Sequence, residues 1–142
     1  MKKILVSACL LGNNVKYNGN NNYNSLVISL SKDYELIPFC PEMDGGLSCP
    51  RNPSEIRGNK VFSNQNVDVS DNFYKGASIA LDLAKKNNPE FIVLKEGSPS
   101  CGVNLIYDGT FTNNKIKGQG ITTRLLKENG YKVISEEDLK NK

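Results

Sequence analysis

The most informative feature of this sequence is an absence, because none of its 142 residues is histidine. Catalytic pairs of serine or cysteine with histidine, imidazole bases and histidine metal ligands are therefore excluded. No apolar run approaches the length of a membrane-spanning helix, so we expect no membrane association. We find no repeat, linker or low-complexity tail either. We therefore expect a single domain over residues 1–142, large enough to bury a core without disulfides.

Charge and composition indicate a globular protein without a strong preference for a polyanion. The net charge is +3, and 38% of the residues are hydrophobic. This small excess suits an anionic small ligand or a weak nucleic-acid contact, and argues for neither alone. The start of the chain, MKKILVSACLLG, resembles a signal peptide, but its apolar stretch is short and is interrupted by Ser7 and Cys9. We therefore expect a first β-strand there and a cytoplasmic protein.

Apolar runs and amphipathic segments alternate along the chain. Strands are predicted at 3–8, 34–39, 91–94 and 131–134, and helices at 25–31, 70–87, 121–129 and after Ser135. This alternation predicts an α/β fold of three layers, α/β/α and Rossmann-like, with a mainly parallel sheet of about four strands.

Three less regular segments complete the predicted fold. The Pro- and Gly-rich residues 43–58 are predicted to form an ordered irregular loop. Residues 60–66 are predicted to be a short strand or hairpin arm. Asp108-Gly109 is a strong turn dipeptide, and it predicts a small β-hairpin between 103–107 and 110–111.

The segment FIVLKEGSPSCG, residues 91–102, is the centre of the predicted site. Its apolar run is typical of a strand buried on both faces, and the polar turn that follows carries Cys101. Cys9 and Cys40 follow two other predicted strands in the same way. If these strands are parallel neighbours, their carboxyl ends lie roughly 5–10 Å apart, so three thiols would converge. The alternative is that each cysteine is simply a small buried apolar residue.

Three converging thiolates suit either of two metal centres. Structural zinc prefers four ligands, and Cys49 is available as the fourth, but the chain has no C-x₂-C pair of the kind common in zinc ribbons. A [4Fe–4S] cluster held by three cysteines would leave one iron open to a substrate atom. Disulfides are not expected in a reducing cytoplasm.

The motifs of the chain resemble the DUF523 family, whose characterised members are thiouracil desulfidases. The resemblance covers nearly the whole length and is carried by VSACLLG at 6–12, YNG at 17–19, CPE at 40–42, GGL at 45–47, Pro50-Arg51 with Pro53, Glu55 and Ile56, KEGSPSCG at 95–102, IYDGTF at 106–111, GQGIT at 118–122 and SEEDL at 135–139. It implies a [4Fe–4S] cluster on three cysteines. It also implies a non-redox reaction in which the unligated iron abstracts sulfur from a thiolated uracil or its nucleotide.

Transferred to these motifs, the resemblance implies that Cys9, Cys40 and Cys101 are the cluster ligands. Glu42 and Ser98 stand where the family keeps its acid–base pair. Glu42 would activate water, and Ser98 would orient the ring or water or relay a proton; otherwise Ser98 is a turn-forming residue. Cys49 stands where threonine is common, and it is an alternative ligand to Cys40 if its loop folds inward.

Further residues are candidates for contacts with the substrate. A phosphate group would suit Arg51, Lys60, Gly45-Gly46 or Gly118–Gly120, and a base would stack on Tyr17 or Tyr107. Lys95 and Glu96 could contact the substrate, or they could equally be an ion pair on the solvent-exposed surface. We expect the substrate to be a thiolated pyrimidine or its monophosphate, and the protein to be a monomer or homodimer without stable nucleic-acid binding. The alternatives are a zinc-stabilised binding module and a desulfidase that acts on thiouridine in tRNA.

Overall fold

A four-stranded parallel sheet between helices organises the chain, of which the computed structural model describes residues 1–141. In chain order, the strands are β1 Lys2–Ser7, β2 Tyr34–Phe39, β3 Ser54–Arg57, β4 Lys60–Ser63, β5 Ile92–Leu94, β6 Leu105–Tyr107, β7 Lys115–Lys117 and β8 Val133–Ser135. The α-helices are α1 Ser25–Ser29, α2 Pro41–Asp44, α3 Ser70–Asn87 and α4 Ile121–Glu128, and short 3₁₀ segments span Ala8–Leu11, Leu30–Lys32 and Glu137–Asn141.

The central sheet has the strand order β2-β1-β5-β8, and all neighbours are parallel. Leu5 in β1 lies opposite Ile37 on one side and Ile92 on the other, so β1 is an inner strand. Inner strands of such a sheet are covered on both faces, which explains the uninterrupted apolar runs in β1 and β5. The predicted parallel sheet is confirmed, and the carboxyl ends of β2, β1 and β5 lie side by side.

Helices cover both faces of this sheet, as predicted. On one face, α3 and α4 pack against the sheet in a core of buried residues that includes Leu5, Leu94, Ala80, Ala84 and Leu126. On the other face, α1 and the C-terminal 3₁₀ segment pack in a core that includes Ile4, Val6, Val93, Val27 and Leu139. Within residues 1–141, no helix has the length and apolarity needed to cross a membrane.

The prediction of an irregular loop over 43–58 is wrong at both ends. Pro41, whose fixed φ suits the first turn of a helix, starts α2, with Cys40 between it and the end of β2. Ser54–Arg57 forms β3 and pairs antiparallel with β4, so residues 60–63 are indeed a hairpin arm. Gly58 has a φ of 65° and makes the tight turn between these strands.

The predicted hairpin that includes Asp108-Gly109 exists, but the prediction of its second strand is wrong. β6 pairs with β7, residues 115–117, instead of with residues 110–111. The carboxylate of Asp108 accepts hydrogen bonds from the N–H of Thr110 and the side chain of Asn114. These bonds close residues 108–114 into a loop of their own, so Asp108 and Gly109 are not a two-residue turn.

Candidate active site

A cavity of about 450 Å³ opens at the carboxyl ends of β2, β1 and β5. Cys9 lies in the 3₁₀ segment after β1, Cys40 directly follows β2, and Cys101 lies in the loop after β5. All three line the cavity together with Glu42 and Ser98. The structure therefore brings the five residues chosen from the sequence into one site.

Cys40 is held in place by close packing between two helices. It is the N-cap residue of α2, and its carbonyl accepts a hydrogen bond from the N–H of Asp44 at 2.8 Å. A Cβ at Gly76 in α3 would collide with the carbonyl of Pro41, and one at Gly45 would collide with the backbone of Asn72. Glycines thus let α2 lie directly on α3. The N–H groups of Gly45 and Gly46 are hydrogen-bonded to carbonyls of α2, so they are not free to bind a phosphate.

The loop that carries Cys101 is organised by the hydroxyl of Ser98. That oxygen accepts hydrogen bonds from the N–H groups of Ser100 at 3.1 Å and Cys101 at 3.0 Å. The N–H of Gly102 bonds to the Ser98 carbonyl at 2.8 Å, which closes the turn. Ser98 is therefore a turn-forming residue, and its hydroxyl also faces Glu42.

The start of α4 supports the same loop from behind. Ile121 and Thr122 donate their N–H groups to the carbonyls of Pro99 and Ser100, at 3.0 and 2.9 Å. A Cβ at Gly120 would collide with the Ser100 carbonyl. The N–H groups of Gly118 and Gly120 are themselves bonded to the carbonyls of Asn104 and Gly102, so they are not free to bind a phosphate.

Glu96 and Lys95 are not the solvated pair that the sequence suggested. Glu96 is only 7% exposed, and one carboxylate oxygen accepts the N–H groups of Val103, Asn104 and Leu105 at 2.8–2.9 Å. Burial raises the pKa of Glu96, but these hydrogen bonds outweigh it and leave the pKa below its ordinary value. Lys95 lines the cavity, and its Nζ lies 3.0 Å from Glu136.

Glu42 is the carboxylate of the cavity. Its Oε1 lies 3.2 Å from Nε of Arg51, and its Oε2 accepts a hydrogen bond of 3.4 Å from the hydroxyl of Ser98. Burial raises the pKa of Glu42, while the charge and hydrogen bond of Arg51 and the bond from Ser98 oppose this rise. A carboxylate with a raised pKa is a better acceptor of protons near neutral pH.

Arg51 is a structural partner and is poorly placed to bind phosphate. Its side chain is 7% exposed, and besides Glu42 it bonds to the carbonyls of Ser48 at 3.2 Å and Val15 at 3.0 Å. Lys60 lies on β4 and is not among the residues that line the cavity, whereas Tyr17 and Tyr107 are.

The three cavity cysteines suit a cluster better than a single metal ion. Burial raises the pKa of each thiol, and the neighbouring thiols and Glu42 raise that of Cys101 further. Within residues 1–141, no group of three Cys, Asp or Glu side chains is arranged to hold a metal ion. A [4Fe–4S] cluster is wider than one ion and binds each thiolate on a different iron, so three soft donors around one cavity fit it.

Cys49 lies apart from this group. It is not among the residues that line the cavity, and its Sγ donates to the carbonyls of Asn14 at 3.1 Å and Lys16 at 3.4 Å. The loop has thus not folded inward to replace Cys40. A zinc site that uses all four cysteines is not formed among the described residues.

Sequence reasoning missed a part of the cavity wall that comes from a distant loop. Phe111 and Asn113, from the 108–114 loop, line the cavity together with Glu55 of β3. The IYDGTF motif contains Phe111, but nothing in this motif indicates that Phe111 contacts Glu55 of β3, because the two residues are 56 positions apart along the chain.

Comparison with known proteins gives consistent matches along nearly the whole chain. A sequence model of the 2-thiouracil desulfurase family matches residues 4–138. The uncharacterized protein YbbK of Bacillus subtilis (strain 168) is 41% identical in an alignment 146 positions long, gaps included. The alignment covers 96% of this chain and 97% of that protein. The solved structure of the [4Fe-4S]-dependent thiouracil desulfidase TudS superposes with a TM-score of 0.93 at 41% identity, covering 99% of this chain and 95% of TudS.

Proposed function

The chain belongs to the 2-thiouracil desulfurase family, and from that premise we propose that it is an iron–sulfur-dependent desulfidase. It converts a thiolated uracil and water into uracil and sulfide, without net oxidation or reduction. The observation that carries this proposal is the opening of Cys9, Cys40 and Cys101 into one cavity that also holds Glu42 and Ser98.

Cys9, Cys40 and Cys101 would hold the [4Fe–4S] cluster, since they are the thiols that line the cavity. When bound, the cluster supplies an iron without a protein ligand, a Lewis acid for the sulfur of the substrate. Cys49 is not among the residues that line the cavity, and its thiol donates to the backbone carbonyls of Asn14 and Lys16, so it is a bystander in this proposal.

Glu42 is the general base of the proposed reaction. Its carboxylate takes a proton from water while the water oxygen attacks the ring carbon that bears sulfur; a C–O bond forms and the C–S bond breaks. The ring carbon ends as a carbonyl, and the sulfur leaves with the C–S electron pairs and takes up the two protons of the water as hydrogen sulfide. Arg51 fixes one oxygen of Glu42, so the oxygen that faces Ser98 is the one that accepts the proton.

Ser98 orients the reacting groups in this proposal. Because its oxygen accepts two backbone N–H groups, its own proton points to Glu42 or to a bound water. The hydroxyl thereby couples the position of Glu42 to the loop that carries Cys101.

The substrate is proposed to be a thiolated pyrimidine base or its monophosphate. Three cations line the cavity, and Arg51 and Lys95 are paired with Glu42 and Glu136. Lys16 is the cavity-lining cation with no ion pair among the described residues, so it replaces Arg51 and Lys60 as the candidate partner of a phosphate. The small net charge supports small substrates over tRNA, and the free thiols support a cytoplasmic location.

The first test is sulfide release by protein reconstituted anaerobically with iron and sulfide. We expect uracil and sulfide in equal amounts from 2-thiouracil or 4-thiouracil, and none from protein loaded with zinc. Glu42→Gln should keep the cluster but lower kcat by roughly 10²–10⁴-fold, because a general base is lost. No sulfide from either thiouracil would contradict the proposed function, and full turnover by Glu42→Gln would remove Glu42 from the reaction.

A further inference from the structure

Phe111 has a backbone conformation that aromatic residues rarely adopt. Its φ is 59°, in the left-handed region, where a side chain with a Cβ costs roughly 1–2 kcal/mol. Phe111 also lines the cavity. Conformations of this kind persist where the surrounding structure fixes them, and they concentrate at ligand sites.

Two side chains of β3 fix this conformation. The buried carboxylate of Glu55 accepts the N–H groups of Gly109 at 2.9 Å and Phe111 at 3.2 Å. Arg57 donates from Nε to the carbonyl of Gly109 at 2.8 Å. Its guanidinium carbon lies 5.3 Å from the ring centroid of Phe62 and 5.7 Å from that of Phe111, so the cation contacts both rings.

The position of Phe111 is not explained by the core of the protein. Its side chain is half-buried, and in the part of the chain that the structure describes, none of the hydrophobic clusters includes it. The fold thus holds an aromatic residue in a strained backbone conformation at the cavity wall without burying its ring in a core.

We propose that Phe111 is a substrate-contacting residue whose ring stacks on the pyrimidine ring, and that Glu55 and Arg57 are positioning residues that act through it. This inference rests on the proposed function, which supplies the planar substrate. Stacking of an aromatic side chain on a base strengthens binding by roughly tenfold or more. Tyr17 lines the same cavity but is 40% exposed, whereas Phe111 is fixed by β3 before the substrate arrives.

Three substitutions of Phe111 separate a binding role from a structural one. Phe111→Ala and Phe111→Gly both remove the ring, so both should raise KM for 2-thiouracil and Kd for uracil by roughly tenfold, with a smaller change in kcat. Phe111→Gly should nevertheless have the higher Tm of the two, because glycine relieves the positive φ. Phe111→Tyr, which keeps the ring, should restore KM and Kd.

A matched control is offered by Asn88, which has a φ of 47° at the end of α3 and is not among the residues that line the cavity. Asn88→Gly should have a higher Tm than Asn88→Ala, as at position 111. Both Asn88 variants should keep the KM of the wild type, because no ring that contacts substrate is lost.

A double-mutant cycle tests the positioning role of Arg57. Arg57→Ala alone should raise KM, but in the Phe111→Gly background it should raise KM no further, because Arg57 acts through the ring. An additive rise would overturn this role.

Calorimetry of uracil binding tests the stacking role of Phe111 independently of catalysis, because uracil is the product and is not turned over. If Phe111→Gly keeps the wild-type Kd for uracil and the wild-type KM, the stacking role of Phe111 is overturned. The proposed function still holds in that case, provided that the wild type releases sulfide. A wild type that binds uracil but releases no sulfide would overturn the proposed function instead.

Discussion

Glu96 shows how a single buried carboxylate organises the loop that carries Cys101. One of its oxygens receives three successive N–H groups, from residues 103 to 105, just after the turn that carries Cys101. Its own N–H is donated to Glu136 at 2.7 Å. Glu96 also lines the cavity, so one carboxylate of the KEGSPSCG motif both forms part of the cavity wall and anchors the loop.

We predict that Glu96→Gln lowers the free energy of unfolding by about 2–3 kcal/mol at neutral pH, because charged hydrogen bonds are lost. The folded-state pKa of Glu96 lies below its ordinary value. This lowered pKa stabilises the folded protein. The stabilisation is fully present at pH values above the pKa of Glu96 in the unfolded chain, and it is lost as the pH falls through the pKa of Glu96 in the folded protein.

Urea denaturation at a series of pH values measures this difference. The gap between wild type and Glu96→Gln should shrink as the solution is acidified below about pH 4. Glu90→Gln is the matched control, because Glu90 is half-exposed and its one ion pair within residues 1–141 is with exposed Lys2 at 3.7 Å; it should change stability by less than about 1 kcal/mol. Equal effects at positions 96 and 90 would contradict the role of Glu96.

At the scale of elements, the contact between α2 and α3 decides where Cys40 lies. Glycine in a helix interior normally weakens the helix relative to alanine. Gly76 is an exception in α3, because a Cβ there would meet the carbonyl of Pro41 in α2. Gly76 thus weakens α3 as a helix but allows α2 and α3 to pack closely next to the cavity.

We predict that Gly76→Ala destabilises the protein by about 2 kcal/mol or more, the opposite of the usual effect of this substitution in a helix. It should also reduce the iron that the protein retains after reconstitution, because α2 can move only by displacing Cys40. Chemical denaturation and iron analysis measure the two effects. Ser78→Ala, an exposed change on the same helix, is the control and should be neutral within about 0.5 kcal/mol; a neutral Gly76→Ala would refute the packing argument.

The elements that sequence reasoning predicted well are those with local signals. The apolar runs of β1, β2 and β5 and the three-to-four-residue repeat of α3 lie where they were expected, within one or two residues. The second arm of the hairpin was missed because β7 is Lys115-Ile116-Lys117, which is polar, exposed and without a strand pattern of its own.

At the scale of the whole molecule, the parallel topology is what assembles the site. Because β1 pairs with both β2 and β5, three residues from positions 9, 40 and 101 reach one cavity. This convergence followed from strand order and was predictable from the sequence. The contacts of Arg51 with Val15, of Glu96 with Glu136 and of Glu55 with Phe111 were not, because each joins loops that are distant along the chain.

The central claim is that Cys9, Cys40 and Cys101 hold a [4Fe–4S] cluster and that Cys49 does not. A bound cluster should also raise Tm relative to the metal-free protein, because ligands that bind only the folded state stabilise it. Cys49→Ala is a matched control for the three other substitutions, since Cys49 is not among the residues that line the cavity and its thiol donates to the backbone carbonyls of Asn14 and Lys16.

Iron and acid-labile sulfide content of anaerobically reconstituted protein tests this claim most directly. The wild type and Cys49→Ala should each contain about four irons and four sulfides per chain, and show the gain in Tm. Cys9→Ala, Cys40→Ala and Cys101→Ala should each lose most of the iron and the gain in Tm. Retention of the cluster by Cys40→Ala together with its loss from Cys49→Ala would contradict the ligand assignment.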